Sequence, residues 1–302
     1  MQHHFAEVNG IRMHYVTAGD LSKASRLILF AHGFPEFWYE WRRQLDEFGR
    51  DHLAVAPDLR GYNLTSKPEA LEEYRMKYLI GDLRALAEHL GSRQVKPPGQ
   101  FTLVAHDWGG AVAWAFAIAH PELLEKLIII NAPHPGVFAR LLHSNPDQQS
   151  ASQYMRMFST REAEEILSRN HYQALDEVLL KPGLERGYFD EADRQAYLDA
   201  WSQPGALTGG LNYYRAARLM PPPPGTPLPE TPLELDIAAL TIHVPVLVIW
   251  GERDRALLTA NLDGLDQFVP RLTIRRIPDA DHWVVHQKPE LVNRYIREFL
   301  QS

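Results

Sequence analysis

Apolar residues along this chain fall into two rhythms, and the rhythms alternate. Short unbroken runs have the length and β-branched content of strands buried on both faces. These are Leu27-Ile28-Leu29-Phe30, Leu53-Ala54-Val55-Ala56, Phe101-Thr102-Leu103-Val104, Leu127-Ile128-Ile129-Ile130 and Val246-Leu247-Val248-Ile249-Trp250. Residues 272–277 read as a further strand. Between these runs, residues 38–48, 79–90 and 111–119 carry helical spacing, with Gly49 and Gly91 as stops for the first two. Near the start, Val8-Asn9-Gly10 followed by the alternating Ile11-Arg12-Met13-His14-Tyr15-Val16 predicts a hairpin on an Asn-Gly turn. Residues 290–300, after Pro289, close the chain with an amphipathic helix. Strands alternating with helices predict an α/β fold, with a mostly parallel central sheet flanked by helices and right-handed crossovers.

The alternation stops after Asn131-Ala132-Pro133-His134-Pro135. Residues 136–220 are helical and polar with no strong strand candidate, and Pro221-Pro222-Pro223-Pro224-Gly225-Thr226-Pro227 follows before the sheet resumes. We expect residues 136–235 to form a helical cap with a Pro-rich connector, inserted into a core of residues 1–135 and 236–302. The proline run could also serve as a ligand for a small recognition module, but its place at the end of an insertion suits a stiff linker.

Composition narrows the function classes. The 302 residues are 45% hydrophobic and 23% charged, an ordinary globular composition, and long enough for one large α/β core or two modest domains. A net charge of −7 with no dense Lys/Arg run argues against nucleic acid or an anionic membrane as partner. The absence of cysteine excludes disulfides, thiol catalysis and thiolate metal sites. The fourteen histidines show no metal-ligand spacing, and His3 and His4 read as surface residues, so neither metal nor cofactor is expected. The N-terminal residues lead into no long apolar stretch, and no run is long enough to span a membrane, so a cytoplasmic location is expected. Oligomeric state is not legible.

The chemistry concentrates after the strand at Phe101. Ala105-His106-Asp107-Trp108-Gly109-Gly110 is a turn of small residues between that strand and a helix, the context of a nucleophile elbow. Asp107 stands where many such enzymes carry serine. A carboxylate with a free pKa of about 3.9 needs no base to become nucleophilic. Its natural target is an sp3 carbon with a leaving group, and the product is an ester on the enzyme. The bland alternative is an aspartate capping the helix. The partners expected later, acid then histidine, are Asp254 after the Val246 strand and His282 after the strand at 272–277. Carboxyl ends of parallel strands are where α/β sheets gather reactive groups.

Taken together, the elbow, His32-Gly33-Phe34-Pro35, Pro57-Asp58-Leu59-Arg60-Gly61-Tyr62 and the Asp254/His282 pair resemble the epoxide hydrolase branch of the α/β-hydrolase superfamily. Haloalkane dehalogenases are neighbours that share the Asp nucleophile. The resemblance implies the α/β-hydrolase fold and a cofactor-independent opening of a small-molecule epoxide to a vicinal diol. It implies an oxyanion hole from the backbone amides of Phe34 and Trp108. It also implies two cap tyrosines that protonate the epoxide oxygen. Tyr214, in Leu211-Asn212-Tyr213-Tyr214-Arg215, matches one, and Tyr154, spaced from Phe158, resembles the second. His32 and His106 are expected to be structural, and Arg60 and Tyr62 to brace the sheet end. Asn131 sits where some dehalogenases place the triad acid, a role an amide cannot fill. A dehalogenase would commonly have an Asn at Phe34 or use a cap tryptophan, for which Trp201 is the candidate. A catalytically silent ligand-binding protein is the rival from another class.

Overall fold

A computed structural model describes residues 1–19, 26–91 and 100–302. Among these residues eight strands form one sheet: β1 (Gln2–Val8), β2 (Ile11–Ala18), β3 (Leu27–Ala31), β4 (Leu53–Pro57), β5 (Phe101–His106), β6 (Leu124–Ile130), β7 (Val246–Gly251) and β8 (Leu272–Ile277). Their spatial order is β1-β2-β4-β3-β5-β6-β7-β8. The β1/β2 hairpin turns at Asn9-Gly10, both with positive φ, and β2 joins β4 antiparallel. Every other pairing is parallel. Each apolar run of the sequence is therefore a strand, and β4, β5 and β7 are buried at every residue because helices cover both faces.

The core helices are α1 (Arg42–Phe48), α2 (Met76–Gly91) and α3 (Asp107–Ala119). Between β6 and β7 the chain leaves the sheet for α4 (Pro135–Ser144), α5 (Pro146–Ala151), α6 (Tyr154–Phe158), α7 (Ala163–Leu175), α8 (Lys181–Arg186), α9 (Glu191–Trp201), α10 (Ala206–Ala216) and α11 (Ile237–Leu240). This insertion contains no strand, as its pattern predicts. The proline run has no regular structure, and its Pro221 and Pro222 carbonyls accept hydrogen bonds from Arg156 and Gln153. The chain ends with α12 (Val284–Gln287) and α13 (Pro289–Gln301). Among the described residues, no helix is long and apolar enough to cross a membrane.

Two layers of core lie on either side of the sheet. One centres on Trp41, Phe48 and Ile296; the other continues from Trp114 and Phe116 into the insertion at Tyr197 and Leu211. The apolar contacts under the insertion thus belong to the same core that holds the sheet.

Candidate active site

Strand β5 and helix α3 meet at Asp107, whose φ is +48°. A left-handed residue at this junction reverses the chain sharply and lifts its side chain over the sheet's carboxyl edge. The turn can be this tight because Gly109 lacks a side chain: a Cβ there would lie 2.2 Å from the Ala31 carbonyl oxygen. Asp107 does not serve as a helix cap. Its Oδ1 instead accepts the Phe34 N–H at 2.8 Å. Trp108 follows in the first turn of α3, where backbone N–H groups have no intrahelical acceptor.

The loops after β7 and β8 bring Asp254 and His282 to the same edge. His282 Nε2 lies 3.6 Å from Asp107 Oδ2, and its Nδ1 lies 2.7 Å from Asp254 Oδ2. Asp254 is buried and surrounded by donors: the Ala256 and Leu257 amides reach Oδ1 at 2.9 Å, and Asn131 Nδ2 reaches Oδ2 at 2.8 Å. Burial alone would raise its pKa, but the His282 charge and these donors hold it below the usual value. For His282 the opposite balance applies. Burial lowers its pKa, yet the Asp254 charge and hydrogen bond, then the Asp107 charge, push it up to about 9.

Asn131, where the sequence excluded an acid, acts beside the acid. At φ +38° its Oδ1 accepts the Gly251 N–H at 2.7 Å while Nδ2 donates to Asp254. It holds both the end of β7 and the carboxylate.

Opposite the elbow stand the two tyrosines. Tyr214 lies on α10 and Tyr154 opens α6, with ring centroids 6.1 Å apart. The Tyr214 ring meets Trp108 edge-on at 5.0 Å and Phe34 at 5.6 Å. Helix α10 approaches this closely because Gly209 packs on Gly61; a Cβ there would lie 2.1 Å from the Gly61 carbonyl oxygen. Burial, and then the Asp107 charge, raise both tyrosine pKa values well above 10, so both hydroxyls remain protonated at neutral pH. Asp107, Trp108, Tyr154 and Tyr214 line one cavity of about 800 Å³, within the ordinary range for small-molecule sites.

Other expectations resolve individually. His32 orients the loop: its Nε2 accepts the Leu59 N–H at 3.0 Å, and its Nδ1 bonds the Gly33 carbonyl. Arg60 braces the sheet end through ion pairs with Asp82 (2.7 Å) and Glu73 (3.2 Å). Tyr62 differs: among the described residues its buried hydroxyl has no hydrogen-bond partner, and its ring meets that of His32. Trp201 donates its indole N–H to the Pro35 carbonyl and does not line the cavity. His3 and His4 lie at the surface on β1 as expected, and their rings also bond His14 and Thr17 of β2.

One buried network was missed. Beneath the loop at Phe34, Glu36 binds His286 at 2.8 Å and accepts the Tyr197 hydroxyl from α9. Burial would raise the Glu36 pKa, but the His286 charge outweighs it and holds the group ionised. Burial and the neighbouring Glu36 charge push Glu40 well above the carboxylate range, so it is protonated. His106 is lowered to about 4, chiefly by burial and then by the His282 charge, and is neutral. Its Nε2 lies 3.0 Å from the His282 carbonyl and its Nδ1 2.6 Å from Glu40 Oε1. Donation from Nε2 leaves Nδ1 as an acceptor facing a protonated carboxyl. The sequence signal was two acids, Glu36 and Glu40, set among Phe34, Phe37, Trp38, Tyr39 and Trp41. Charges amid aromatic residues are buried only with partners.

Residues 26–289 match the family model described as the alpha/beta hydrolase fold. The chain is 35% identical to epoxide hydrolase 2 of Caenorhabditis elegans, over 99% of this chain and 80% of that protein. It is 38% identical to epoxide hydrolase 3 of Xenopus tropicalis, over 97% and 76%. The crystal structure of a Bacillus megaterium epoxide hydrolase in complex with an inhibitor superposes with a TM-score of 0.87 at 38% identity, covering 99% of this chain and all of that one.

Proposed function

This chain belongs to the epoxide hydrolase branch of the α/β-hydrolase superfamily, and we propose that it converts an epoxide to a vicinal diol through an ester on Asp107. The observation that carries the mechanism is a single cavity wall pairing. Asp107, 3.6 Å from His282, faces Tyr154 and Tyr214 across the same apolar space. Phe34 N–H holds Oδ1, which leaves Oδ2 to attack a ring carbon from behind. The breaking C–O bond sends its electron pair to oxygen, which takes a proton from a tyrosine hydroxyl.

The second half-reaction needs a base, and His282 is protonated in the resting site. Alkylation makes Asp107 neutral and removes one of the charges that raise the His282 pKa. The imidazole can then release its proton towards bulk water or the tyrosinate and accept another from a water attacking the ester carbonyl. Phe34 and Trp108 amides would stabilise the tetrahedral oxyanion, each by about 3–4 kcal/mol in comparable sites. Collapse releases the diol and restores both carboxylate oxygens. Residues 136–235 act as the cap that supplies the tyrosines and excludes water, and an epoxide and water are the partners this chemistry requires. The dehalogenase alternative has less support, because Phe34 occupies the loop and the Trp201 indole is committed to Pro35.

The test separates the half-reactions. His282→Ala should react once with an epoxide and stall, so that the intact protein gains the mass of one substrate on the peptide carrying Asp107. Asp107→Ala should gain none. Normal turnover by a folded His282→Ala variant, or an adduct on another residue, would overturn the mechanism.

A further inference from the structure

Asp254 sits on backbone that neither helix nor strand supports. Residues 252–258 lie between β7 and a short 3₁₀ helix (Thr259–Leu262), and they have no regular structure. Arg253 and Arg255, on either side of Asp254, are exposed. Asp254 holds this loop from one side, since its Oδ1 accepts both the Ala256 and the Leu257 N–H. The Ala256 carbonyl and the Leu258 N–H must then find partners elsewhere.

Both find the same side chain, and it belongs to the insertion. Gln148, on α5, donates from Nε2 to the Ala256 carbonyl at 2.8 Å, and its Oε1 accepts the Leu258 N–H at 3.0 Å. Oε1 also accepts from Asn261 Nδ2 at 2.8 Å, and the second Nε2 hydrogen goes to Ser152 Oγ at 2.9 Å. The side-chain amide is thus saturated, and Gln148 is wholly buried. Its backbone is held as well, because Asn145 caps α5 by accepting the Gln148 N–H at 2.8 Å. A saturated buried amide fixes geometry, since any shift orphans several partners at once. The next residue offers a contrast. Gln149 Nε2 donates to the Leu142 and His143 carbonyls, inside the insertion.

We propose that Gln148 is a positioning residue for ester hydrolysis. It acts through the loop: Ala256 and Leu258, which it grips, bracket Leu257, and the Ala256 and Leu257 amides fix the Asp254 carboxylate. Asp254 in turn aims His282 through the 2.7 Å contact at Nδ1. Docking of the insertion therefore sets the aim of the base as well as placing the tyrosines. Attack by a carboxylate needs no base, so Gln148 matters to one half-reaction and not to the other. The proposal deepens the epoxide hydrolase reading and rests on it.

The experiment uses Gln148→Met, which keeps the side chain's length and removes its hydrogen bonds, with Gln149→Met as control. The probe is the faster of styrene oxide and a long-chain alkyl epoxide, followed by rapid mixing. Gln148→Met should form the Asp107 ester at a rate within about twofold of wild type. It should hydrolyse that ester about tenfold more slowly, part of the roughly 10²–10⁴ that general-base catalysis supplies. The ester should then accumulate at steady state, read as added mass on the intact protein. Gln149→Met should match wild type in both steps. Equal slowing of both steps in Gln148→Met, slowing of ring opening alone, or no change would overturn the proposal. Should that variant fail to fold, Gln148→Glu keeps the two accepted bonds, and a loss of about threefold confined to hydrolysis is expected. NMR gives a reading free of substrate. The His282 Nδ1 proton shared with Asp254 should move upfield in the Gln148 variant and stay in place in Gln149→Met. If neither epoxide alkylates wild type, the epoxide reading fails, and this resonance alone decides. A shift confined to the Gln148 variant supports the positioning role, and an unmoved resonance defeats it.

Discussion

Asp107 and Asp254 are the same residue on either side of one imidazole, and their surroundings divide the work. Asp254 is buried and accepts hydrogen bonds from the Ala256 and Leu257 amides and from Asn131, so in the proposed mechanism it orients and charge-balances His282. Asp107 has Oδ2 turned towards open space. The charge argument gives a direct prediction. Asp107→Asn imitates the neutral ester, so the His282 imidazole should titrate below about 9 in that variant, as read by NMR. An unchanged or higher value would mean that Asp107 does not set the base's protonation. The same shift governs stability. A histidine with a raised pKa contributes stability that is complete below its unfolded value of about 6.5 and fades as pH rises through about 9. Glu40 makes a second case. Its protonated carboxyl faces His106, which carries the His282 backbone. Glu40→Gln keeps a polar group in the same place and should melt near wild type. Glu40→Leu leaves the Gly33 N–H and His106 Nδ1 without that group and should lose roughly the 1–3 kcal/mol of an unsatisfied buried group, read by thermal unfolding. Equal stability of the two variants would show that the contact is incidental.

Elements differ in how much of themselves the sequence discloses. Strands β3 to β7 were readable because burial on both faces leaves unbroken apolar runs, and the elbow because only small residues fit between β5 and α3. Asp107, Asp254 and His282 could be found from strand ends alone. Tyr154 and Tyr214 could not, because nothing in a helical repeat says which tyrosine faces a cavity; only the family likeness marked them. The links Glu36–His286 and Arg60–Asp82 join residues 250 and 22 positions apart, and local patterning holds no record of such pairs. The seating of α10 on the core is of this kind too, since Gly209 looks like any helix glycine until Gly61 is placed beneath it. Gly209→Ala should lift α10 and the tyrosine it carries. Overpacking of this type removes about 1–3 kcal/mol of stability, and epoxide opening should slow more than ester hydrolysis, measured by rapid mixing. Slowing confined to ester hydrolysis would contradict the placement of Tyr214.

Across the whole molecule, the insertion is held by hydrogen bonds to both halves of the chain that flank it. On the N-terminal side Trp201 reaches Pro35, Tyr197 reaches Glu36, and the Tyr213 hydroxyl donates to the Arg60 carbonyl at 3.0 Å. On the C-terminal side the buried Gln148 donates to the Ala256 carbonyl at 2.8 Å and accepts from Leu258 and Asn261. Several of these anchors sit on the loops that also hold the elbow's partners, Phe34 and Asp254. The apolar core runs without a break from Trp114 to Tyr197. Folding of the insertion and assembly of the site should therefore be one event. Calorimetry should show a single transition whose calorimetric and van't Hoff enthalpies agree. Tyr213→Phe leaves the Arg60 carbonyl buried without its donor, a loss of about 1–3 kcal/mol, and should lower the whole transition by a few degrees. Two resolved transitions, with only one moved by Tyr213→Phe, would show that the insertion folds apart from the sheet and that its grip on the catalytic loops is weak.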